Sequence, residues 1–208
     1  MRVVKSAEER KNEILDVAEQ LFAEKGFDHA STNDIINRIG IARGTLYHHF
    51  GSKEEILDGI VDRMTQEAIN RARVIIRDQD VPLMERLTGS VLALNLDTEA
   101  GTEVLEQIHK PQNALLHQKM QERLMDGVVP LLSELIEEGN ESGTFNSRYP
   151  MEAAEMIMIY ANTAFDALAA PTPEEMQRKS MAFICHTERI LGAKEGSMQE
   201  AIMKIFAK

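Results

Sequence analysis

The sequence predicts an all-α protein, and three observations carry that prediction. Apolar residues recur at three- and four-residue spacing along the chain, whereas alternating runs of period two are hard to find. Leu, Ile, Met and Ala carry the apolar load, and all except Ile are strong helix formers. Cap residues and glycines fall where the helical runs start and stop.

Taken in order, Ile14, Leu15, Ala18, Leu21 and Phe22 form one face of a first helix, which Gly26 ends. Ser31-Thr32 opens a short second helix, with Asp34 in its first turn, Ile35, Ile36 and Ile39 inside, and Gly40 at its end. A third runs from about Ala42 to His49 and is broken by Gly51. Ser52 with Glu55 forms a capping-box pattern that opens a long fourth helix, expected to reach Arg77. Further helices are expected at about 82–96, 99–109 and 113–139, followed by a turn-rich link from Gly139 to Thr144. Pro150 leads a helix through Ala170. Thr172-Pro173-Glu174-Glu175 combines an N-cap, Pro at the first helical position and Glu at the third, and that helix should reach Leu191. Ser197 and Glu200 repeat the cap signature before a short terminal helix. The natural division falls along the fourth helix, with three short helices before it and a larger helical body after.

The bulk numbers exclude several classes. With 208 residues and 43% hydrophobic content, the chain can bury a sizeable core as one domain or as a small and a larger one. One cysteine, Cys185, excludes an internal disulfide framework and a Cys-based zinc site, and it fits a reducing cytoplasm. No apolar run reaches the ~18 residues needed to span a bilayer, and the first residues lack a signal-peptide pattern. The expectation is a soluble cytoplasmic protein with no membrane segment. A net charge of -11 argues against general affinity for nucleic acid, so the few clustered donors become informative.

The densest such cluster is Arg43-Gly44-Thr45-Leu46-Tyr47-His48-His49-Phe50-Gly51-Ser52-Lys53. Two short helices separated by Gly40-Ile41 match a helix-turn-helix. Ile35, Ile39, Leu46 and Phe50 can share a small core with Leu21 and Phe22. If Leu46 and Phe50 point inward, Arg43, Thr45, Tyr47 and His48 are left on more exposed faces. The start of such a recognition helix meets base edges in a major groove. There Arg43 suits guanine, Gly44 lets the backbone approach closely, and Thr45 and Tyr47 can bond phosphate or touch a thymine methyl. Lys53 stands at a helix N-terminus, where a cation is slightly unfavourable and a bound phosphate would supply a reason for it.

The run Thr32-Asn33-Asp34-Ile35-Ile36, Gly40 to Phe50, and Ser52-Lys53-Glu54-Glu55-Ile56 resembles the DNA-binding domain of the tetracycline-repressor (TetR) family, over roughly 9–60. The resemblance implies a homodimeric transcriptional regulator, usually a repressor. Its domains would be a helix-turn-helix DNA-binding domain at 1–53 and a helical ligand-binding and dimerisation domain at 54–208. Carried onto this chain, Thr32, Asn33, Arg43, Gly44, Thr45, Tyr47, His48 and Lys53 occupy positions that commonly face DNA. Tyr47 and Lys53 would hold phosphates, Arg43 and Asn33 would read bases, and His49 and Phe50 fall on core positions. The partners implied are a palindromic double-stranded operator, a small-molecule inducer, and a second copy met through the helices at about 151–170 and 173–191. Ligand binding would move the fourth helix and so change the separation of the two DNA heads. One departure stands out: residues 1–60 hold eight Lys/Arg against eleven Asp/Glu, a net of -3. That predicts low non-specific DNA affinity and salt-sensitive binding.

The remaining polar residues suggest weaker sites. His48 and His49 are adjacent and point about 100° apart on a helix, so they do not chelate one ion. His109, His117, Cys185 and His186 do not follow a recognised ligand spacing, and neither a metal nor a cofactor is expected. The ligand-contact candidates are His109, Leu116, His117, Met120, Tyr160 and Phe165. Tyr160, Asn162, Phe165 and Asp166 suit a pocket or an interface equally. Two other classes stay open. A helical enzyme would use His109, His117 or Asp166 but has no ordered nucleophile, base and orienting group. A protein–protein adaptor would account for the acidic head.

Overall fold

A computed structural model of the chain describes residues 5–94, 102–165 and 172–206. Among the described residues it is all-α, with ten α-helices and no strand. The helices are α1 Ala7–Lys25, α2 Thr32–Ile39, α3 Arg43–His49, α4 Lys53–Ile76, α5 Leu83–Ala93, α6 Thr102–Ile108, α7 Ala114–Glu141, α8 Pro150–Ala164, α9 Pro173–Leu191 and α10 Gln199–Phe206. The chain divides into two compact units, one of Met1–Gln66 with Leu96–Met120, the other of Glu67–Asn95 with Gln121–Lys208. Those units cut the chain elsewhere than the 53/54 division expected from sequence: the first takes in the start of α4 and also α6, which packs against α1.

The first unit is built on local signals. Ser6 and Ser31 each cap a helix through a reciprocal capping box, with Glu9 and Asp34 as the third helical residues. Such a box satisfies two of the N–H groups that every helix start leaves unpaired. Gly26 (φ 78°) and Gly40 (φ 74°) end α1 and α2 in the positive-φ region that favours glycine. Ser52 takes the Glu55 N–H at 3.2 Å, but the Glu55 carboxylate returns to Gly51 N rather than to Ser52, so half of the expected box forms. Ile14, Leu15, Ala18, Leu21, Phe22, Ile35, Leu46 and Phe50 are all buried, as the helical spacing requires, while Ile39 is half-buried. At Gly59 a Cβ would lie 3.0 Å from Leu15 and 3.1 Å from Phe50, so α4 presses its backbone onto this core.

The second unit owes more to distant partners. Ile69, Ile76, Val128, Leu132, Leu135, Ile136, Phe145, Met158, Ile184, Leu191 and Ile202 belong to one buried cluster. Arg86 is buried beside them. It donates to Ile76 O and Val81 O, both at 2.9 Å, and pairs with Glu138 on α7. Arg86 holds the Glu138 carboxyl below its ordinary pKa, chiefly through that hydrogen bond. Removing one partner of such a pair would strand the other, at a cost of roughly 3–5 kcal/mol for a fully buried case. Buried Glu188 accepts from Gly196 N and Met198 N, both at 2.9 Å, and so anchors the start of α10.

Boundaries in the second half differ from expectation. α7 runs through Gly139 to Glu141 instead of stopping at Gly139. The glycine is there for space: a Cβ would overlap the ring of Phe145, which folds back on the helix as Phe145 N–H donates to Gly139 O at 2.9 Å. α8 ends at Ala164, and the expected continuation to Ala170 lies outside the described residues, as does Asp166.

Candidate nucleic-acid interface

Gly40 and Ile41 join α2 to α3 in a turn short enough to keep both on one small core. Buried Ile35 and Leu46 fix the inner faces. Arg43, Tyr47 and His48 are exposed, as the spacing predicts; Gly44 is exposed too, while Thr45 is half-buried rather than exposed. At the start of α2, Asn33 is exposed and Thr32 half-buried. Sequence reasoning did not pair these two starts, yet the structure does. Thr32 Oγ1 lies 3.4 Å from the Tyr47 hydroxyl, and the Arg43 guanidinium lies 5.4 Å from the Tyr47 ring centroid. The Thr32 hydrogen bond and then Arg43 hold the Tyr47 phenol below its usual pKa. No sequence signal links residues fifteen apart on different helices; only the turn geometry brings them together.

Most other cations of this region are already committed. Arg38 makes two 2.8 Å bonds to Glu24, Lys25 pairs with Asp34 at 3.0 Å, and Lys5 and Arg10 both pair with Glu13. Arg43 has no carboxylate partner among the described residues; the aromatic face of Tyr47 supports it instead. Gly44 gives a second sign. A Cβ there would meet nothing within 4 Å, and its φ is not positive. Neither packing nor backbone conformation requires glycine at a helix position where it costs roughly 0.5–1 kcal/mol against alanine.

Lys53 has intramolecular partners that the sequence reading did not foresee. Its Nζ donates to Phe27 O at 2.7 Å and to Ala30 O at 3.1 Å, and it stands 4.3 Å from the Phe27 ring centroid. Two carbonyls therefore answer the question of why a lysine stands at this helix start. His49 is half-buried; its pKa is lowered by burial first, then by His48, Arg10 and Lys11.

The ligand-contact candidates separate into two groups. His109 and His117 lie edge to face at 5.2 Å in the first unit, with Leu116 half-buried and Met120 buried. Tyr160 and Phe165 belong to the second unit, where both pack on Phe183 at 5.9 and 5.6 Å. Tyr160 remains 44% exposed despite that stack, which places it on a surface. Met156 and Ile159, on the same side of α8 by helical spacing, are exposed with it, and Met181 on α9 is exposed as well. Among the described residues no three His, Cys, Asp or Glu side chains are grouped to hold a metal, and no helix is long and apolar enough to cross a membrane.

Comparison with known proteins bears directly on this helix-turn-helix. Residues 14–60 match the family model for bacterial regulatory proteins of the tetR family, and residues 97–185 match a tetracyclin repressor-like C-terminal domain. The chain belongs to the TetR family. Among TetR-family relatives, the HTH-type transcriptional repressor KstR2 of Mycobacterium tuberculosis is 38% identical over 92 residues, 44% of this chain and 46% of the relative. The match thus spans about half of that relative's length. The HTH-type transcriptional regulator UidR of Escherichia coli is 25% identical over 179 residues, 84% of this chain and 87% of UidR. The fold agrees as well. A TetR-family transcriptional regulator from Pectobacterium atrosepticum superposes with a TM-score of 0.64 at 22% identity, covering 93% of this chain and 98% of that one. These relatives are named as regulators, not as enzymes.

Proposed function

We propose that this TetR-family chain is a cytoplasmic transcriptional regulator, a homodimeric repressor that a small molecule releases from a palindromic operator. The observation that carries this reading is the outer face of α3. There Arg43 stays free of carboxylates, Gly44 stands without neighbours, and Tyr47 is oriented by Thr32, in a head whose other cations are largely neutralised. Arg43 and Asn33 read base edges. Tyr47, Thr32, Thr45 and His48 position the helix on phosphate and sugar. Lys53 contributes its charge and the proton left over from its two carbonyls. The second copy docks through α8 and α9, on which Met156, Ile159 and Tyr160 of α8 and Met181 of α9 are all exposed. A two-fold pair presents its recognition helices to successive turns of the groove. The names of KstR2 and UidR as transcriptional regulators support the same reading. The inducer must prefer the state that does not bind DNA, since equal affinity for both shifts nothing.

The test is selection of binding sites from a random duplex pool, followed by affinity measurement across a salt series. The expected result is a two-fold symmetric site bound at least ~10³ tighter than random DNA. The expected salt dependence is shallow, a revision of the salt-sensitive binding expected from sequence, because each phosphate contact adds only about 0.9 to the slope and the ion pairs of Lys5, Arg10, Lys25 and Arg38 leave few cations free to make one. Failure to enrich any sequence would sink the DNA-reading function and leave the adaptor reading standing.

A further inference from the structure

The turn between α1 and α2 is held from outside the helix-turn-helix. Residues 26–30 lead straight into the Ser31 cap and Thr32. Within that turn the two polar backbone atoms of Phe27 are both engaged. Its N–H donates to Glu103 Oε1 of α6 at 3.0 Å, and its C=O accepts from Lys53 Nζ of α4 at 2.7 Å. An anion and a cation thus grip opposite ends of one residue's backbone, and both bonds are of the stronger, charge-assisted kind. The Phe27 ring is buried between Lys53 and Phe22. Lys110, just past α6, adds a 3.1 Å ion pair to Asp28 of the same turn. The family's DNA-binding model ends at residue 60, and Glu103 falls in the stretch matched by the C-terminal model, yet it packs within the first compact unit.

Glu103 is itself aimed by a neighbour. Gln107, one helical turn on, donates its Nε2 to Glu103 Oε1 at 2.9 Å. Gln107 is 3% exposed, and its Oε1 is buried with no hydrogen-bond partner. The amide forgoes a bond of its own in order to keep its N–H on Glu103. A buried acceptor left unpaired is costly, and such groups persist where the surroundings over-determine them.

We propose that Glu103 is a positioning residue for DNA reading, with Gln107 as the group that aims it. Glu103 fixes the Phe27 peptide, the fixed turn sets Thr32, and Thr32 sets Tyr47 and through it Arg43. The inference rests on the function proposed above. It is tested on the full chain with Glu103→Ala, Glu103→Gln and Gln107→Leu, using the duplex selected by wild type, random duplex, thermal melting, and hydrogen exchange at Phe27 N–H.

Glu103→Ala speeds Phe27 exchange and weakens the selected duplex about tenfold, the size of one hydrogen bond to a charged group, with random duplex unchanged. Glu103→Gln keeps an acceptor in place and restores affinity to within about twofold. Gln107→Leu removes both the aim and the orphaned oxygen, so melting temperature holds or rises while operator affinity falls. A purely structural contact would move stability and affinity together. Operator affinity within about twofold of wild type for Glu103→Ala, or no rescue by Glu103→Gln, overturns the proposal. A wild type that selects no duplex overturns the DNA-reading function instead, and the inference with it.

Discussion

The outer face of α3 and the outer face of α8 are both exposed, and they are exposed for opposite reasons. On α3 the uncovered groups are donors, with Arg43, Tyr47 and His48 around a glycine that nothing in the fold requires. On α8 they are apolar, with Met156 followed at three and four residues by Ile159 and Tyr160 on one face of the helix. Water satisfies the first face well and the second poorly. A donor-rich face waits for a partner that supplies acceptors, whereas an apolar face waits for one that excludes water. The contrast teaches that exposure alone does not name a partner; the chemistry of what is exposed does.

The comparison can be broken most sharply on the apolar side. Wild type is expected to be a dimer at micromolar concentration; Ile159→Lys with Met156→Glu should leave it monomeric in light scattering and abolish preference for the proposed two-fold site, because one half-site is then read alone. A persistent dimer would move the interface elsewhere. Next comes the core that supports the donor face. Leu46 is fully buried, so Leu46→Ala should destabilise the fold by roughly 2–5 kcal/mol in denaturant unfolding. Arg43→Ala leaves the fold intact and should cost about 1–3 kcal/mol per half-site while flattening the base preference. Gly44→Ala should act with opposite signs: a gain of roughly 0.5–1 kcal/mol in stability and a loss of operator affinity as the new methyl meets DNA. If that variant binds as well as wild type, the helix does not approach closely at that point.

The smallest expected effect concerns protons. Hydrogen bonds from Ser31, then Lys25, hold the Asp34 carboxyl down to about 2 from a usual 3.8. A carboxyl depressed by folding contributes stability above its unfolded pKa and loses it as pH falls through the folded one. Melting of wild type should therefore weaken between about pH 4 and pH 2, and Asp34→Asn should show less of that slope. The group is fully exposed, so the effect should be slight.

Much of the first unit was legible because its signals are local. Ser31 with Asp34, Gly26, Gly40 and the inward pair Leu46 and Phe50 each act over three or four residues, the range that helical periodicity encodes. The contacts that refine the candidate site act over longer distances. Thr32 meets Tyr47 across a turn, Lys53 reaches back to Phe27 and Ala30, and Glu103 reaches Phe27 over 76 residues. Nothing in the spacing of those residues announces the pairing. Gly139 misled for a related reason. A glycine in a polar stretch reads as a break, but here it makes room for a ring that returns from beyond the helix end. The six ligand candidates fall in two groups because His109, Leu116, His117 and Met120 belong to the first unit and Tyr160 and Phe165 to the second, a division that helical spacing does not encode.

The internal ion pairs of the head carry one more consequence. A reading head that has spent Arg38, Lys25, Lys5 and Arg10 on its own carboxylates has little hold on bulk chromosome. A genome offers ~10⁶–10⁹ competing non-specific sites, and a basic protein leaves most of its copies parked there. A regulator of this kind would keep more of its population free in solution. Fewer molecules per cell would then hold an operator occupied, and occupancy would follow changes in protein copy number closely.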